Sequence, residues 1–178
     1  SDTFPKRFII IARLFSMKGL RVLGFDIDAS KIEKLQKGES YIKSIPDALL
    51  RRMRPRFEAT SEFSRLKEAD AVIICVPTPL LEDGRPDLSF IRRTAQTIGR
   101  HLRKGQLVVL ESTTYPGTTR EIMKPELDKA GVPYLLAFSP EREDPGNKQF
   151  TNADIPKVVG GIDARSTKAA AALYGFAV

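Results

Sequence analysis

Short apolar runs alternate along the chain with segments whose apolar residues recur at helical spacing. Uninterrupted runs predict strands, and apolar residues at every third or fourth position predict helices. The predicted strands are Arg21–Asp26, Ala71–Val76, Leu107–Leu110, Tyr134–Phe138 and Lys157–Val159, and the predicted helices are Lys31–Lys37, Leu88–Leu102, Thr118–Ala130 and Arg165–Phe176. Strands that alternate with helices form right-handed βαβ units. The pattern therefore predicts an α/β fold with a Rossmann-like, doubly wound parallel sheet.

The run Ala71–Val76 (AVIICV) is apolar at every position, which indicates a strand buried on both faces of a parallel sheet. Cys75 lies within it and is expected to be a buried small hydrophobe rather than a nucleophile. Asp87 is the expected N-cap of the helix that follows.

The beginning of the chain departs from the dinucleotide-binding pattern of a strand, a G-x-G-x-x-G turn and a helix. Counting back from Arg21–Asp26 puts the glycine turn near Thr3–Phe8, but no glycine occurs before Gly19. One interpretation makes Phe8–Lys18 the first helix, and a less favoured one makes Phe8–Ala12 the first strand. In both, the diphosphate cradle has no visible basis in the sequence, and in the favoured one the first strand and its glycine turn are missing or degenerate.

The bulk composition is that of one globular domain spanning residues 1–178. The chain is 42% hydrophobic and 29% charged, and it has no apolar run of the ~20 residues that a membrane span needs. Its single cysteine excludes an internal disulfide and is in keeping with a reducing cytoplasm, and no metal-ligand spacing is present. The net charge of +7 admits an anionic partner. The basic run Arg51–Arg56 lacks interleaved aromatics, so a solvated connection is favoured over a nucleic-acid surface.

Ligands of open α/β sheets bind beyond the carboxyl ends of the strands. Asp26 ends the first predicted strand and can accept hydrogen bonds from a ribose, or it can be a strand-end or capping acid. Lys31, at the start of the next helix, can reach a cofactor phosphate, although a solvated helix residue is the more ordinary interpretation. Thr78, Ser112 and Thr113 follow the next two strands as hydroxyl donors, with helix capping as the alternative for the Ser/Thr cluster.

The fourth strand end carries charges. Glu141, Arg142 and Glu143 follow Ser139-Pro140, and a carboxylate beside a guanidinium can perform acid–base chemistry on a bound substrate. A charge run in a loop is otherwise only solvated.

Taken together, these segments resemble the UDP-glucose/GDP-mannose dehydrogenase family. The similarity runs from about residue 13 to the end through RVLGFDID, ADAVIICVPTPL, PDLSFI, GQLVVLESTTYPGTT, SPEREDPGNKQF and IPKVVGG. The loop after Ser139 is more similar to the bacterial UDP-N-acetylglucosamine 6-dehydrogenases than to the UDP-glucose enzymes. The resemblance implies a cytoplasmic enzyme for surface polysaccharide, which oxidises a UDP-sugar to a uronic acid with NAD.

The resemblance also implies residue roles. Asp26 would be the ribose ligand, Lys31 a cofactor contact, and Thr78 and Thr113 lining residues of the nicotinamide site. Thr113 and Glu141 would position the catalytic water, with Glu141 as the acid–base group. Arg142 and Glu143 would contact the nucleotide sugar. The family's catalytic cysteine, linking helix and nucleotide-sugar domain would lie beyond Val178, and family members pair as homodimers through that helix.

Overall fold

The computed structural model describes residues 3–140 and 157–177. The chain divides into two compact units, the first ending at Arg65 and the second running from Leu66 to Phe176. Each unit has its own parallel strands and its own core.

The first unit consists of α1 (Thr3–Met17), β1 (Val22–Phe25), α2 (Ala29–Lys37), α3 (Asp47–Met53) and β2 (Phe57–Thr60). β1 and β2 are parallel, with Val22 opposite Phe57 and Phe25 opposite Thr60. A 3-10 turn, Phe63–Glu68, follows β2. Among the described residues, β1 has a strand neighbour on one side only.

The core of the first unit lies between its helices and the two strands. It is formed by buried side chains from every element except β1 and by two residues of the loop after α2, namely Ile9, Ala12, Ile32, Leu35, Ile42, Ile45, Leu50, Met53, Phe57 and Ala59. β1 passes close to this core at Gly24, where an added Cβ would lie 2.4 Å from the Phe8 ring and 2.9 Å from the Phe57 ring. Glycine at position 24 therefore allows both rings to pack against the strand.

The second unit consists of β3 (Ala71–Ile74), α4 (Ser89–His101), β4 (Leu107–Leu110), α5 (Lys124–Asp128), β5 (Leu135–Phe138), β6 (Gly160–Gly161) and α6 (Ala164–Ala177). The sheet order is β3-β4-β5-β6. β3, β4 and β5 are parallel, and the short β6 is antiparallel to β5. Their shared direction brings the carboxyl ends of three strands to one edge of this sheet.

β4 is the centre of the second unit. All four of its residues are buried, and Val108, Val109 and Leu110 have no exposed surface. Ile91, Ala95 and Ile98 form the buried stripe of α4. Burying an aliphatic side chain of this size stabilises the fold by about 1.5–3 kcal/mol, so β4 holds the carboxyl ends of the strands in place.

The predicted Rossmann-like α/β class is confirmed, and so is the helical interpretation of the first segment, since α1 covers Thr3–Met17. The strand interpretation of Phe8–Ala12 is wrong, because Ile9 and Ala12 lie on one buried face of this helix. The residues at which a glycine turn was expected therefore belong to α1.

Two strand predictions need correction. The strand predicted at Lys157–Val159 lies instead at Gly160–Gly161, because the antiparallel register places Gly160 opposite Phe138, the last residue of β5. β3 ends at Ile74 rather than at Val76, and Cys75 is partly exposed rather than buried. Ala71–Ile73 are also only partly buried, because β3 pairs with one strand, β4, among the described residues.

The helix predicted over Thr118–Ala130 is irregular. Thr119–Met123 forms a π-helical turn, and α5 begins only at Lys124. Pro125 lacks the N–H that a regular helix needs at this position, which accounts for the break. The arginines of the basic run predicted as a connection are exposed as expected, but Met53 is buried in the core, and Arg51 and Arg52 belong to the last turn of α3.

Candidate functional site

Asp26 directly follows β1, and a neighbouring carboxylate performs the capping that was its alternative role. The N-cap of α2 is Asp28, whose Oδ1 accepts hydrogen bonds from the backbone N–H of Ser30 at 3.0 Å and of Lys31 at 3.4 Å. The pKa of Asp28 is lowered, most of all by a hydrogen bond from the Ser30 hydroxyl to the same oxygen and also by these two backbone bonds. Asp26 Oδ1 accepts from the Asp28 N–H at 2.9 Å. The second oxygen of Asp26 takes no part in this capping and lies 3.7 Å from the Nζ of Lys31 in α2.

Lys31 faces this pair of carboxylates. Its Nζ lies 3.7 Å from Asp26 Oδ2, 3.7 Å from Asp28 Oδ2 and 5.8 Å from the centroid of the Tyr41 ring. Burial, followed by the charges of Asp26 and Asp28, raises the pKa of Tyr41 to about 12. The ammonium thus lies where it partly offsets the two negative charges. Asp26 and Lys31, predicted separately, are brought together by the structure, and Tyr41, which follows α2 in the segment GESYI, was not predicted as a site residue.

Thr78 and Thr113 are brought together in the second unit. The Thr78 hydroxyl donates to the main-chain carbonyl of Thr113 at 2.5 Å. The Ser112 hydroxyl donates to the Val76 carbonyl at 3.0 Å. The loops that follow β3 and β4 are therefore joined by two side-chain hydrogen bonds at the carboxyl edge of the sheet.

Helix capping, the alternative role of the Ser/Thr cluster, is not performed by Ser112 or Thr113. Thr118 precedes the π-helical turn, and its hydroxyl donates to the Tyr115 carbonyl at 3.0 Å and lies 2.7 Å from the Thr114 hydroxyl. Ser112 is buried and bound to the β3 loop, while Thr113 is exposed. Thr113 therefore presents its side chain at the strand ends.

The end of β5 is fixed in the same region. The Ser139 N–H donates to the Leu110 carbonyl at 3.0 Å, and its hydroxyl donates to the Val158 carbonyl at 2.8 Å. Glu141, Arg142 and Glu143, which follow Pro140, lie outside the described residues.

A charged group that sequence reasoning missed lies beside these residues. Glu111, only 3% exposed, follows β4 and accepts hydrogen bonds from Lys157 and Tyr174. Its position at a strand end was visible in the sequence, but no spacing connects it to donors 46 and 63 residues further along the chain.

Over residues 3–140 and 157–177, no three His, Cys, Asp or Glu side chains are arranged to hold a metal ion. No described helix is both long and apolar enough to cross a bilayer.

Comparison with known proteins identifies the family. The profile of the UDP-glucose/GDP-mannose dehydrogenase family, NAD binding domain, matches residues 9–177. The chain belongs to this family. It is 35% identical to protein CapL of Staphylococcus aureus over 163 residues, covering 89% of this chain and 38% of CapL. It is also 35% identical to the UDP-N-acetyl-D-glucosamine 6-dehydrogenase of Salmonella typhi over 153 residues, covering 83% of this chain and 36% of that enzyme.

The fold of this NAD-binding domain is shared with solved structures of the family. The UDP-D-ManNAc dehydrogenase of Pyrococcus horikoshii superimposes with a TM-score of 0.83 at 32% identity, over 96% of this chain and 42% of that one. The chain therefore spans about two fifths of the length of its relatives. The cofactor predicted from the sequence, NAD, is that of the matched domain.

The residues of the chain fit one end of NAD better than its middle. The carboxylate of Asp26 is 25% exposed and does not cap α2, so it can accept hydrogen bonds from a ribose beside Lys31. The diphosphate normally lies on a glycine turn before a helix, but here Thr3–Phe8 lie within α1.

Proposed function

We propose that the chain is the cofactor-binding part of a nucleotide-sugar 6-dehydrogenase, which oxidises UDP-N-acetylglucosamine or UDP-glucose to the uronic acid. NAD accepts the hydride in this chemistry. The proposal is supported by family membership and by one observation above all. Asp28 caps α2, so the neighbouring carboxylate of Asp26 remains available for the ribose hydroxyls.

Each candidate residue has a role in this proposal. Asp26 accepts hydrogen bonds from the adenosine ribose, and Lys31 steadies that carboxylate or contacts the cofactor. Thr78 and Thr113 line the nicotinamide site, where the bond between them orients the Thr113 peptide.

The sugar-handling roles are proposed from the resemblance alone. Glu141 would act with Thr113 on the catalytic water, and Arg142 and Glu143 would contact the UDP-sugar. The full-length enzyme would be a cytoplasmic homodimer that supplies uronic acids for polysaccharide and does not bind nucleic acid.

A second candidate function is favoured by α1. Because helix occupies the residues at which a glycine turn was expected, the chain could retain the fold and bind NAD weakly or not at all. In dinucleotide-binding domains the backbone donors of the glycine turn and the N-terminus of the helix after it hold the pyrophosphate.

Titration calorimetry of the chain with NAD+ separates the two functions. Saturable heat at up to millimolar NAD+, with no response to NADP+, is expected from a domain in which Asp26 binds the ribose. The phosphate of NADP+ would be repelled by this carboxylate. No heat at millimolar NAD+ would exclude the proposed cofactor function and favour a domain that keeps the fold without binding NAD.

A further inference from the structure

The carboxylate of Glu111 is buried at the carboxyl end of the central strand β4, with 3% of its surface exposed. A buried carboxylate is costly unless its oxygens are paired and hydrogen-bonded. Both oxygens are satisfied here. Oε1 accepts from the Lys157 ammonium, and Oε2 accepts from the Tyr174 hydroxyl at 2.5 Å.

The two donors also contact each other. Lys157 Nζ lies 5.0 Å from the centroid of the Tyr174 ring, within the range of a cation–π interaction. Tyr174 is 3% exposed, and the side chain of Lys157 is 19% exposed. We call Glu111, Lys157 and Tyr174 the Glu111 cluster. It joins the end of β4 to α6 and to the residue three positions before β6.

The backbone beside this cluster carries the proposed nicotinamide residues. The Glu111 N–H donates to the Ile74 carbonyl at 2.9 Å, which extends the pairing of β3 and β4 by one residue. The next residue, Ser112, bonds to the β3 loop through its hydroxyl, and Thr113 accepts the Thr78 hydroxyl. Each of residues 111–113 is therefore held by a directional bond, and Glu111 is the first of the three.

Stability alone does not account for a charged group at this position. Replacing a buried ion pair with apolar residues of similar size is often neutral or stabilising. A hydrogen-bonded ion pair does, however, orient the groups that form it. Each hydrogen bond holds the carboxylate at a defined distance and angle from its donor, and this restricts the backbone that carries the carboxylate.

We propose that Glu111, held by Lys157 and Tyr174, is a positioning residue that fixes the backbone conformation of Ser112 and Thr113 after β4. Through the Thr113 carbonyl it also orients the Thr78 hydroxyl. The consequence for cofactor binding rests on the proposed function, since these two threonines are the proposed contacts of the nicotinamide end of NAD.

The second unit contains a matched control for this cluster. Asp128 accepts from Lys124 at 2.6 Å and from the Tyr134 hydroxyl at 2.7 Å, so a carboxylate is again paired with a lysine and a tyrosine. Its side chain is 48% exposed, and it lies at the end of α5, before β5 begins. Asp128→Asn therefore removes a similar charge away from the strand ends.

Hydrogen exchange of the backbone tests the positioning directly. In Glu111→Gln and in Tyr174→Phe, the amides of residues 111–114 are expected to exchange at least about fivefold faster than in the wild type, as the loss of roughly one hydrogen bond implies. Asp128→Asn is expected to leave them unchanged. Equal protection of this segment in all variants would overturn the proposal. If Glu111→Gln does not fold, Tyr174→Phe, which removes one oxygen, decides the question.

Ligand binding separates positioning from a general loss of stability. Two variants are compared with the wild type, the single variant Tyr174→Phe and the double variant Glu111→Gln/Lys157→Met. Both should bind NAD+ about fivefold more weakly than the wild type. ADP-ribose, which lacks nicotinamide, should bind to them as it binds to the wild type. The double variant should also melt near the wild-type temperature, because its ion pair is replaced rather than broken. An equal loss of affinity for both ligands would overturn the positioning role. If the wild type itself binds neither ligand, the proposed function fails, and the exchange of residues 111–114 still supports or overturns the positioning.

Discussion

The hydroxyl of Thr78 donates a hydrogen bond to the main-chain carbonyl of Thr113, with 2.5 Å between the two oxygens. The two residues are 35 positions apart and follow neighbouring parallel strands, β3 and β4. A bond from a side chain to the backbone between two loops restricts both of them. It makes the relative position of these threonines a fixed property of the second unit.

Thr78→Val tests whether this bond matters for the cofactor. Valine keeps the shape of threonine and removes the hydroxyl, so the Thr113 peptide loses its partner. We expect NAD+ to dissociate with a constant about fivefold higher, measured by calorimetry. Thr78→Ser keeps the hydroxyl and should stay close to the wild type. Equal affinities of the valine and serine variants would show that the bond has no role in binding.

Asp26→Ala tests the ribose contact. The substitution removes an ionised acceptor, and hydrogen bonds to charged groups are stronger than neutral ones. NAD+ affinity should fall at least about tenfold. The matched control is Asp28→Asn, which removes the neighbouring charge but keeps a residue that caps helices well. Its NAD+ affinity should be nearly unchanged, and the assignment fails if Asp28→Asn weakens binding more than Asp26→Ala does.

Gly161→Ala tests the packing of α6 against β6. An added Cβ would lie 2.3 Å from the Thr167 nitrogen and 2.6 Å from the Ser166 carbonyl carbon, both of them backbone atoms. Overpacking of this kind lowers the free energy of unfolding by about 1–3 kcal/mol. Gly160→Ala is the control, since its Cβ would have no neighbour within 4 Å. Urea denaturation should give a lower midpoint for Gly161→Ala than for the wild type and an unchanged midpoint for Gly160→Ala. Equal midpoints of the two variants would contradict the close approach.

Asp163→Ala tests the start of α6 through its pH dependence. The Asp163 carboxylate accepts from the Ser166 N–H at 2.7 Å, and this bond is the largest cause that lowers its pKa below the ordinary 3.8. A carboxylate whose pKa is lower in the folded state stabilises the fold above its unfolded pKa, and the effect is lost as pH falls through the folded pKa. The wild type should therefore melt above the variant from pH 7 down to about pH 5, and the gap should close below about pH 4. A gap that persists at pH 2 would contradict this explanation.

The sequence predicts the central elements of the fold because their signals are local. An unbroken apolar run identifies β4, and the recurrence of Ile91, Ala95 and Ile98 identifies α4. It does not predict β2 or α3, because the alternation of Phe57–Thr60 covers only four residues and the seven residues of α3 are too few for a long helical stripe. Phe57–Thr60 is a strand because β1 lies beside it, and that partner is distant in the chain.

For the candidate site, the sequence likewise predicts some of the residues but not the contacts between them. Asp26, Thr78 and Thr113 could be predicted because each follows a strand, and ligands of parallel sheets bind beyond strand ends. Their contacts could not be predicted, because the contact of Thr78 with Thr113 depends on the pairing of β3 with β4. The Glu111 cluster is the extreme case, since its three members come from distant parts of the chain.

Amide chemical-shift mapping on titration with NAD+ tests the central claim most directly, that the strand-end residues of this family domain bind the cofactor. Our account predicts that the largest changes fall at residues 26–31, 76–79 and 111–114, and that residues 124–134 are unaffected. Changes centred on Arg51–Arg56, or none at millimolar NAD+, would contradict it.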